Sequence, residues 1–268
     1  MADSIPVLDL GPLRTGVPGA LERLGAELRH AFTEVGFYFV RNHGIPEALL
    51  DQTFAEAERF HAQPLEAKLA LKINEHNIGY MPMRGATTRV NAVGDVALPN
   101  ANEAVFFKRE LPADHPDVVN NVRFRGANQW PHLPGFRERI LESCAVFEGL
   151  GLGRFMTILA QNKIPGLSLR LRDGTWLDAP APEGALLING GMMLRRWTDN
   201  RFMATPHRVI NRSGRERYAI PFFMDANYRA VMAPITADGS PARMEPITYP
   251  DFMTGYQRAN FHHAAMER

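Results

Sequence analysis

The first half of the chain carries both helix-type and strand-type hydrophobic patterns. Apolar residues spaced at i, i+3 and i+4 predict three helices, at residues 18–34, 46–61 and 134–147. Two strands are predicted at residues 5–10 and 36–40, the second rich in aromatic and β-branched side chains. Gly36 is typical of a helix end, so we expect it to separate the first helix from that strand.

The second half changes to short strand patterns separated by turn signals. The predicted strands are residues 154–161, 167–172, 175–178, 185–189, 204–210 and 217–224. Gly-containing pairs such as Asp173-Gly174 and Ser213-Gly214 lie between them, and a last helix is predicted after Pro250. Closely spaced short strands favour a sandwich or jelly roll. No linker separates the two halves, so one integrated unit is expected.

Composition narrows the class of protein. The 268 residues are 45% hydrophobic and 22% charged, which excludes wholesale disorder. Thirty basic against 29 acidic residues give a net charge of +1, so no bias favours a nucleic acid or an anionic membrane as partner. A single cysteine, Cys144, excludes an internal disulfide and suits a reducing compartment. With no membrane-length apolar segment and no apolar leader, a cytoplasmic protein is expected.

Candidate chemistry is carried by histidine and arginine. The sequence contains no Gly-x-Ser-x-Gly, phosphate-loop or dinucleotide-binding motif. His207 and Arg217 lie in neighbouring predicted strands, and in a hairpin both side chains can face one interior. An imidazole suits iron, and a guanidinium can clamp a small carboxylate. The plainer alternative is a hydrogen-bonded strand histidine with a surface arginine, and spacing alone favours it.

An ordered series of motifs favours the metal and carboxylate site over the plainer alternative. Residues 204–211 and 214–223 resemble the distal-histidine and arginine motif of the iron(II)- and 2-oxoglutarate-dependent dioxygenases, in the isopenicillin N synthase-like branch. Further matches are IPVLDLGPL (5–13), VGFYFVRNHGIP (35–46), GYMP (79–82), NQWP (128–131), FMTILAQNKIPGL (155–167) and DGTW (173–176). The resemblance implies a mixed α and β fold with a double-stranded β-helix (jelly-roll, cupin-like) core flanked by helices. Residues 1–118 correspond to the family's N-terminal region and residues 119–268 to an incomplete core.

The resemblance also implies a function and a site. Such an oxidoreductase oxidises a small-molecule substrate with O2 while 2-oxoglutarate is decarboxylated to succinate, and its cofactors are Fe(II) and 2-oxoglutarate. His207 corresponds to a metal ligand and Arg217 to the residue that binds the distal carboxylate of 2-oxoglutarate. Phe223 corresponds to an aromatic residue of the substrate pocket. The companion hydroxyl expected two residues after the arginine is absent, because Ala219 stands there.

One departure concerns the iron ligands. The family holds iron with two histidines and a carboxylate, the first histidine and the acid forming His-x-Asp. In the matching register these positions fall at Leu150 and Leu152, and a few dozen residues are missing near 149–154. The chain's His-x-Asp, His115-Pro116-Asp117, lies far upstream and is expected in an exposed loop. A second departure is Met192, which stands where the family has a turn-forming aspartate.

Three interpretations remain open at this point. The chain is an active oxygenase, a catalytically inactive β-core binding or interaction remnant lacking two of three metal ligands, or an incomplete sequence with an internal deletion. Loss of strands exposes sheet edges, which invite pairing with another copy. The sequence therefore predicts a compromised fold or an oligomer that covers the gap, and it does not specify the organic substrate.

Overall fold

The computed structural model describes residues 4–87, 99–150, 156–237 and 239–261. Within these ranges the helices are α1 (Gly11–Arg14), α2 (Ala20–Glu34), α3 (Glu47–His61), α4 (Leu65–Leu69), α5 (Pro116–Val119), α6 (Phe136–Gly149), α7 (Met192–Trp197) and α8 (Tyr249–Asn260). The strands are β1 (Val7–Asp9), β2 (Phe37–Arg41), β3 (Gly79–Met81), β4 (Ala104–Phe106), β5 (Met156–Gln161), β6 (Leu167–Arg170), β7 (Trp176–Asp178), β8 (Leu186–Gly190), β9 (His207–Val209), β10 (Ala219–Met224), β11 (Val231–Met232) and β12 (Ile247–Thr248). None of these helices is both long and apolar enough to cross a membrane.

The longer predicted elements are confirmed. The helices expected in the first half are α2, α3 and α6, and the helix after Pro250 is α8. The six strands expected in the second half are β5 to β10, although residues 154–155 of the first lie outside the described residues. The pattern did not predict the short helices α1, α4, α5 and α7, nor the strands β3, β4, β11 and β12.

The chain divides into two compact units, each built from separate segments. One contains Met1–Phe54 and Ala145–Ile247, and the other contains Ala55–Cys144 and Thr248–Arg268. The division at residue 118 was based on sequence resemblance and stays a prediction. All eight strands from the confirmed predictions, β1, β2 and β5 to β10, belong to the first unit.

Two sheets form the core of the first unit. The larger sheet has the order β1-β2-β8-β5-β10, parallel between β1 and β2 and antiparallel elsewhere. The smaller sheet is antiparallel, with the order β7-β6-β9. One buried cluster contains Phe37, Phe39 and Leu187 of the larger sheet together with Leu167 and Leu169 of the smaller one. The inner faces of the two sheets therefore pack against each other as a sandwich.

On its outer face, the larger sheet contacts aromatic residues of the same unit that lie on helices. Tyr38 is fully buried, and its ring meets the edge of Phe32 of α2 at a centroid distance of 5.2 Å. Phe222 of β10 stacks on Phe147 of α6 at 5.4 Å. Because alternate strand residues point to opposite faces, β2 buries Phe37 and Phe39 inside the sandwich and Tyr38 beneath α2.

The turn between α2 and β2 depends on glycine at position 36. Gly36 has φ = 76°, in the left-handed region, where an L side chain is strained. A Cβ at this position would also collide with the hydroxyl of Thr205. That hydroxyl donates a hydrogen bond of 2.6 Å to the carbonyl of Val35. The close approach fixes the segment just before β9 against the end of α2.

Strand β9 lies at the edge of the smaller sheet. The N–H of Ile210 donates to the carbonyl of Gly166 at 2.9 Å, on the side of β6. Along an antiparallel edge strand, residues whose N–H and C=O groups point toward the neighbouring strand alternate with residues whose groups point away from it. His207 and Val209 therefore direct their N–H and C=O groups away from β6, toward the open edge.

Strand β10 lies at the edge of the larger sheet, and a proline interrupts its outer side. The N–H of Asn162 donates to the carbonyl of Tyr218 at 3.2 Å, so this pair is hydrogen-bonded across β5 and β10. By alternation, Ala219, Pro221 and Phe223 direct their backbone groups outward. Pro221 has no N–H, so the open edge of β10 lacks a donor at its middle, which discourages further strand pairing.

The second unit has a separate aromatic cluster. Phe60, Tyr80 and Phe136 are fully buried together, on α3, β3 and α6. Trp130 stacks on Phe107 at a centroid distance of 4.6 Å and extends this cluster. Strands β3 and β4 pair antiparallel and place Tyr80 opposite Val105.

Candidate functional site

His207 faces the space between the two sheets. It lies directly opposite Leu169 of β6, and residues directly opposite across a ladder share a face. Leu169 is fully buried in the sandwich core. The imidazole ring of His207 meets the ring of Phe37 in an edge arrangement, with centroids 5.2 Å apart. The residue as a whole is exposed, so the ring lies at the mouth of the sandwich.

The hydrogen bond of His207 selects one ring nitrogen. Its Nδ1 lies 3.1 Å from the carbonyl oxygen of Thr205. A carbonyl only accepts, so Nδ1 carries the proton that it donates. In the neutral ring the lone pair is then on Nε2, the arrangement typical of a metal-binding histidine whose other nitrogen is fixed by the backbone.

The residues around His207 do not complete an iron site. Within the described ranges, no group of three or more His, Cys, Asp or Glu side chains is placed to hold a metal ion. Leu150, at the first expected His-x-Asp position, is described, whereas Leu152 falls among residues 151–155, outside the described residues. Those five residues, GLGRF, contain no metal-binding side chain. Of the ligands that iron requires, the described residues around His207 therefore supply one, His207 itself.

Arg217 is a half-buried cation on the inner side of β10. Its Nη2 donates a hydrogen bond of 2.6 Å to Oε1 of Gln161. Within the described part of the chain, its buried Nε has no hydrogen-bond partner and no carboxylate forms an ion pair with it. Burial lowers the pKa of the guanidinium, which nevertheless remains charged. The arrangement leaves a positive charge and a free N–H that suit an anion.

Phe223 lies on the same inner face, toward the other end of β10. It lies opposite Thr157 of β5, and Pro221 lies opposite Leu159, which packs against the sandwich core. Alternation therefore places Phe223, Pro221 and Ala219 on the inner face. Phe223 is 56% exposed, so its ring has a free surface.

The structure assigns the three residues to the two walls of one sandwich. His207 belongs to the smaller sheet. Phe223 belongs to β10 of the larger sheet, and Arg217 lies two residues before that strand. No hydrogen bond joins His207 to Arg217 in the described residues. Sequence reasoning did not single out Gln161, the partner of Arg217. The signal that could have indicated Gln161 is Ala219, which lacks the hydroxyl expected from the family resemblance and lies directly opposite Gln161 in the register.

The upstream His-x-Asp has a structural role. His115 caps α5, its Nδ1 accepting from the N–H of Asp117 at 3.1 Å. Asp117 is buried and receives a hydrogen bond of 3.1 Å from Nε of Arg125. The expectation of an exposed loop was wrong, because the proline at position 116 starts a short helix and the aspartate pairs with an arginine.

Met192 also begins a helix. It is the first residue of α7, and Gly191 is the N-cap without a side-chain cap. The aspartate that the family has at 192 would bring a carboxylate to this first turn, where helix N–H groups lack partners. Its loss leaves α7 to be held by packing, with Leu194 buried.

The second unit contains a polar cluster that the sequence did not reveal. Glu103 accepts hydrogen bonds from Lys68 at 3.0 and 3.1 Å, and its Oε1 lies 2.8 Å from Nδ1 of His61. The hydroxyl of Tyr80 also donates to Glu103. Burial raises the pKa of this carboxyl, but the hydrogen bonds outweigh burial and the pKa is lower than its ordinary value. These residues satisfy one another, which is typical of a structural network.

Comparison with known proteins identifies the family. Residues 5–133 match the family described as non-haem dioxygenase in morphine synthesis N-terminal, and residues 151–226 match the 2OG-Fe(II) oxygenase superfamily. The chain belongs to the iron(II)- and 2-oxoglutarate-dependent dioxygenases, a family of oxidoreductases. The cofactors of this family are Fe(II) and 2-oxoglutarate.

Two curated relatives and one solved structure illustrate the match. The 2-oxoglutarate-Fe(II) type oxidoreductase hxnY of Emericella nidulans is 28% identical, over 96% of this chain and 90% of the relative. Homoarginine-6-hydroxylase 2-ODD-C23 of Glycine max is 24% identical, over 96% and 97%. The crystal structure of a 2OG-Fe(II) oxygenase family protein from Caulobacter crescentus superposes with a TM-score of 0.78 at 24% identity, over 96% of this chain and 99% of that one. The mixed α and β fold with a jelly-roll core is thereby confirmed.

The relatives also bear on the missing stretch. The match to hxnY extends over 319 aligned positions, whereas this chain has 268 residues. Because 96% of this chain is aligned, roughly sixty of those positions have no residue of this chain opposite them. The internal deletion near residues 149–154 stays a prediction.

Proposed function

We propose that this chain oxidises a small organic substrate with O2 while 2-oxoglutarate is decarboxylated to succinate. The observation that carries the proposal is the half-buried guanidinium of Arg217, which has a free Nε–H and no carboxylate partner among the described residues. A guanidinium binds a carboxylate through two parallel N–H groups. We assign Arg217 to the distal carboxylate of 2-oxoglutarate.

We propose two further roles in the same sandwich. His207 is a metal ligand through Nε2, supported by the hydrogen bond of its Nδ1 to Thr205. Phe223 lines the substrate pocket, supported by its position on the inner face of β10 with an exposed ring. The assignment of His207 covers one of the three ligands that iron requires, since the described residues near it do not supply the others.

We also propose that two copies associate through the open edge of β9. The backbone groups of His207 and Val209 face this edge, and strands with free N–H and C=O groups pair readily. Strand β10 is the poorer edge because Pro221 removes a donor. The net charge of +1 gives two copies little electrostatic repulsion.

The cellular location is a further proposal. The single cysteine, Cys144, suits a reducing compartment, and we assign the protein to the cytoplasm on that basis. A fractionation of the producing cells that finds the protein outside the cytoplasm would reject this assignment.

Turnover of the co-substrate tests the proposed reaction. Full-length protein is incubated with Fe(II), 2-oxoglutarate, air and ascorbate, which supplies the two electrons that the unidentified substrate would give, and succinate is measured. Wild type and the control His30→Ala, an exposed histidine of α2, are expected to form succinate, whereas His207→Ala is not. Absence of succinate with all three proteins would favour the non-catalytic interpretation, and full turnover by His207→Ala would reject the metal assignment.

A further inference from the structure

The ladder between β5 and β10 brings Gln161 and Ala219 face to face. They are direct partners in the register, and the hydrogen-bonded pair Asn162–Tyr218 comes next to them. Because hydrogen-bonded and non-hydrogen-bonded pairs alternate, Gln161 and Ala219 form a non-hydrogen-bonded pair, in which side chains are closest. Both side chains lie on the inner face of the sandwich.

Arg217 holds the amide of Gln161 in one orientation. Its Nη2 donates to Oε1 of Gln161 at 2.6 Å, so the amide oxygen is used. The amide nitrogen, Nε2, is buried and has no hydrogen-bond partner within the described part of the chain. Nε of Arg217 is buried and unpaired in the same way. Two neighbouring side chains thus each carry a buried donor that no acceptor among the described residues satisfies.

Such a pair of donors fits a carboxylate. Leaving a buried donor unpaired costs free energy, so two unpaired donors on neighbouring side chains favour a ligand that accepts from both. A carboxylate offers two oxygens with several lone pairs, enough for a guanidinium N–H and an amide N–H together. The small side chain of Ala219 opposite Gln161 contributes only a methyl group, and it carries no hydroxyl that could donate to the ligand.

We propose that Gln161 is a second carboxylate-binding residue, donating Nε2–H to the distal carboxylate of 2-oxoglutarate beside Arg217. It thereby replaces the hydroxyl that the family resemblance leads one to expect at position 219. The inference rests on the proposed function, because it assumes that Arg217 binds this carboxylate. Gln161 is on β5, whereas Arg217, the other proposed carboxylate-binding residue, lies just before β10.

Calorimetric titration of the full-length protein with 2-oxoglutarate, without iron, tests the proposal. Gln161→Leu removes the donor and is expected to weaken binding about tenfold, the usual effect of losing a hydrogen bond to a charged group. Gln161→Glu replaces the donor with an acceptor and is expected to weaken binding further. Gln52→Glu, at an exposed position of α3, is the matched control and is expected to bind like wild type.

A rescue variant separates ligand binding from a structural role. Ala219→Ser restores a hydroxyl opposite position 161, so Gln161→Leu/Ala219→Ser is expected to regain most of the lost affinity. A purely structural Gln161 would not be rescued in this way. Titration with 2-oxobutyrate, which lacks the distal carboxylate, is expected to give the same affinity for wild type and Gln161→Leu.

The outcomes distinguish this inference from the proposed function. If wild type does not bind 2-oxoglutarate, the proposed function fails and this inference fails with it. If wild type binds and Gln161→Leu, folded by circular dichroism, binds equally well, only the role of Gln161 is rejected. Loss of affinity that Ala219→Ser does not restore would also reject it.

Discussion

The side-chain oxygen of Gln161, at the last rung between β5 and β10, accepts a hydrogen bond of 2.6 Å from the guanidinium of Arg217, two residues before β10. The contact explains why an arginine can be half-buried without a carboxylate partner among the described residues. It uses one N–H of the guanidinium and leaves Nε free for a ligand. The inner face of this sandwich thus presents a positive charge and an unpaired N–H, the features on which the proposed anion site rests.

Neighbouring phenylalanines of β10 should differ sharply in their effect on stability. Phe222 stacks on Phe147 beneath α6, whereas Phe223 is 56% exposed on the inner face. We expect Phe222→Ala to lower the free energy of unfolding by about 2 kcal/mol and Phe223→Ala by less than about 1 kcal/mol. Urea denaturation followed by circular dichroism measures both. Equal losses would show that the assignment of the two faces is wrong.

Gly36→Ala should destabilise the first unit. The new Cβ combines left-handed backbone strain with a collision against Thr205, and we expect a loss of about 3 kcal/mol in the free energy of unfolding. Gly214→Ala is the matched control: its φ of 69° is similar, but no atom lies within 4 Å of the new Cβ. That control should cost about 1 kcal/mol. If both variants lost the same amount, the contact with Thr205 would not contribute.

Removing the carboxylate of Glu103 should destabilise the second unit. Glu103→Gln leaves the buried ammonium of Lys68 without its counter-charge, and we expect a loss of about 2 kcal/mol at pH 7. Glu66→Gln, an exposed position in α4, should change the free energy of unfolding by less than about 0.5 kcal/mol. Chemical denaturation at fixed ionic strength provides the comparison.

The carboxyl of Glu103 should also make the free energy of unfolding depend on pH. The folded pKa of Glu103 is lower than its ordinary value of 4.5, so its contribution is present above pH 4.5 and is lost as pH falls through the folded pKa. Wild type should therefore lose its advantage over Glu103→Gln below about pH 4.5. A difference between the two proteins that stayed constant from pH 7 to pH 3 would contradict the role of ionised Glu103.

Association through β9 should depend on one backbone donor. Val209→Pro removes the outward N–H but leaves the inward groups that pair with β6, so we expect it to weaken a dimer. Val209→Ala keeps the N–H and is the control. Light scattering during size exclusion, over a range of concentrations, reports the mass. A wild-type protein that stays monomeric throughout, or a dimer unchanged by proline, would reject the β9 interface.

Hydrophobic patterns located the strands of the sandwich because their alternation depends on local sequence. Strands β5 to β10 were predicted close to their observed bounds, and Gly36 ends its helix as expected. The pairing β1-β2-β8-β5-β10 was not predictable in the same way, since it joins segments far apart along the chain. Short elements such as α7 were not predicted, because a six-residue helix has too few turns to produce a periodic hydrophobic pattern.

The candidate site was only partly visible in the sequence. His207 and Arg217 came from the family resemblance, and spacing alone favoured the plainer interpretation. Gln161 was missed because an amide at the end of an apolar strand has no distinctive pattern, and only the register places it opposite Ala219. The Glu103 cluster was missed for a similar reason, as Lys68 and Glu103 are 35 positions apart.

Direct binding of 2-oxoglutarate to the full-length protein tests the central claim, that Arg217 is the anchor of a co-substrate site. Calorimetric titration compares wild type with Arg217→Met and with Arg215→Met, an exposed arginine two residues away. We predict saturable binding by wild type and Arg215→Met and its loss in Arg217→Met. Absence of binding by wild type, or equal affinity of wild type and Arg217→Met, would contradict it.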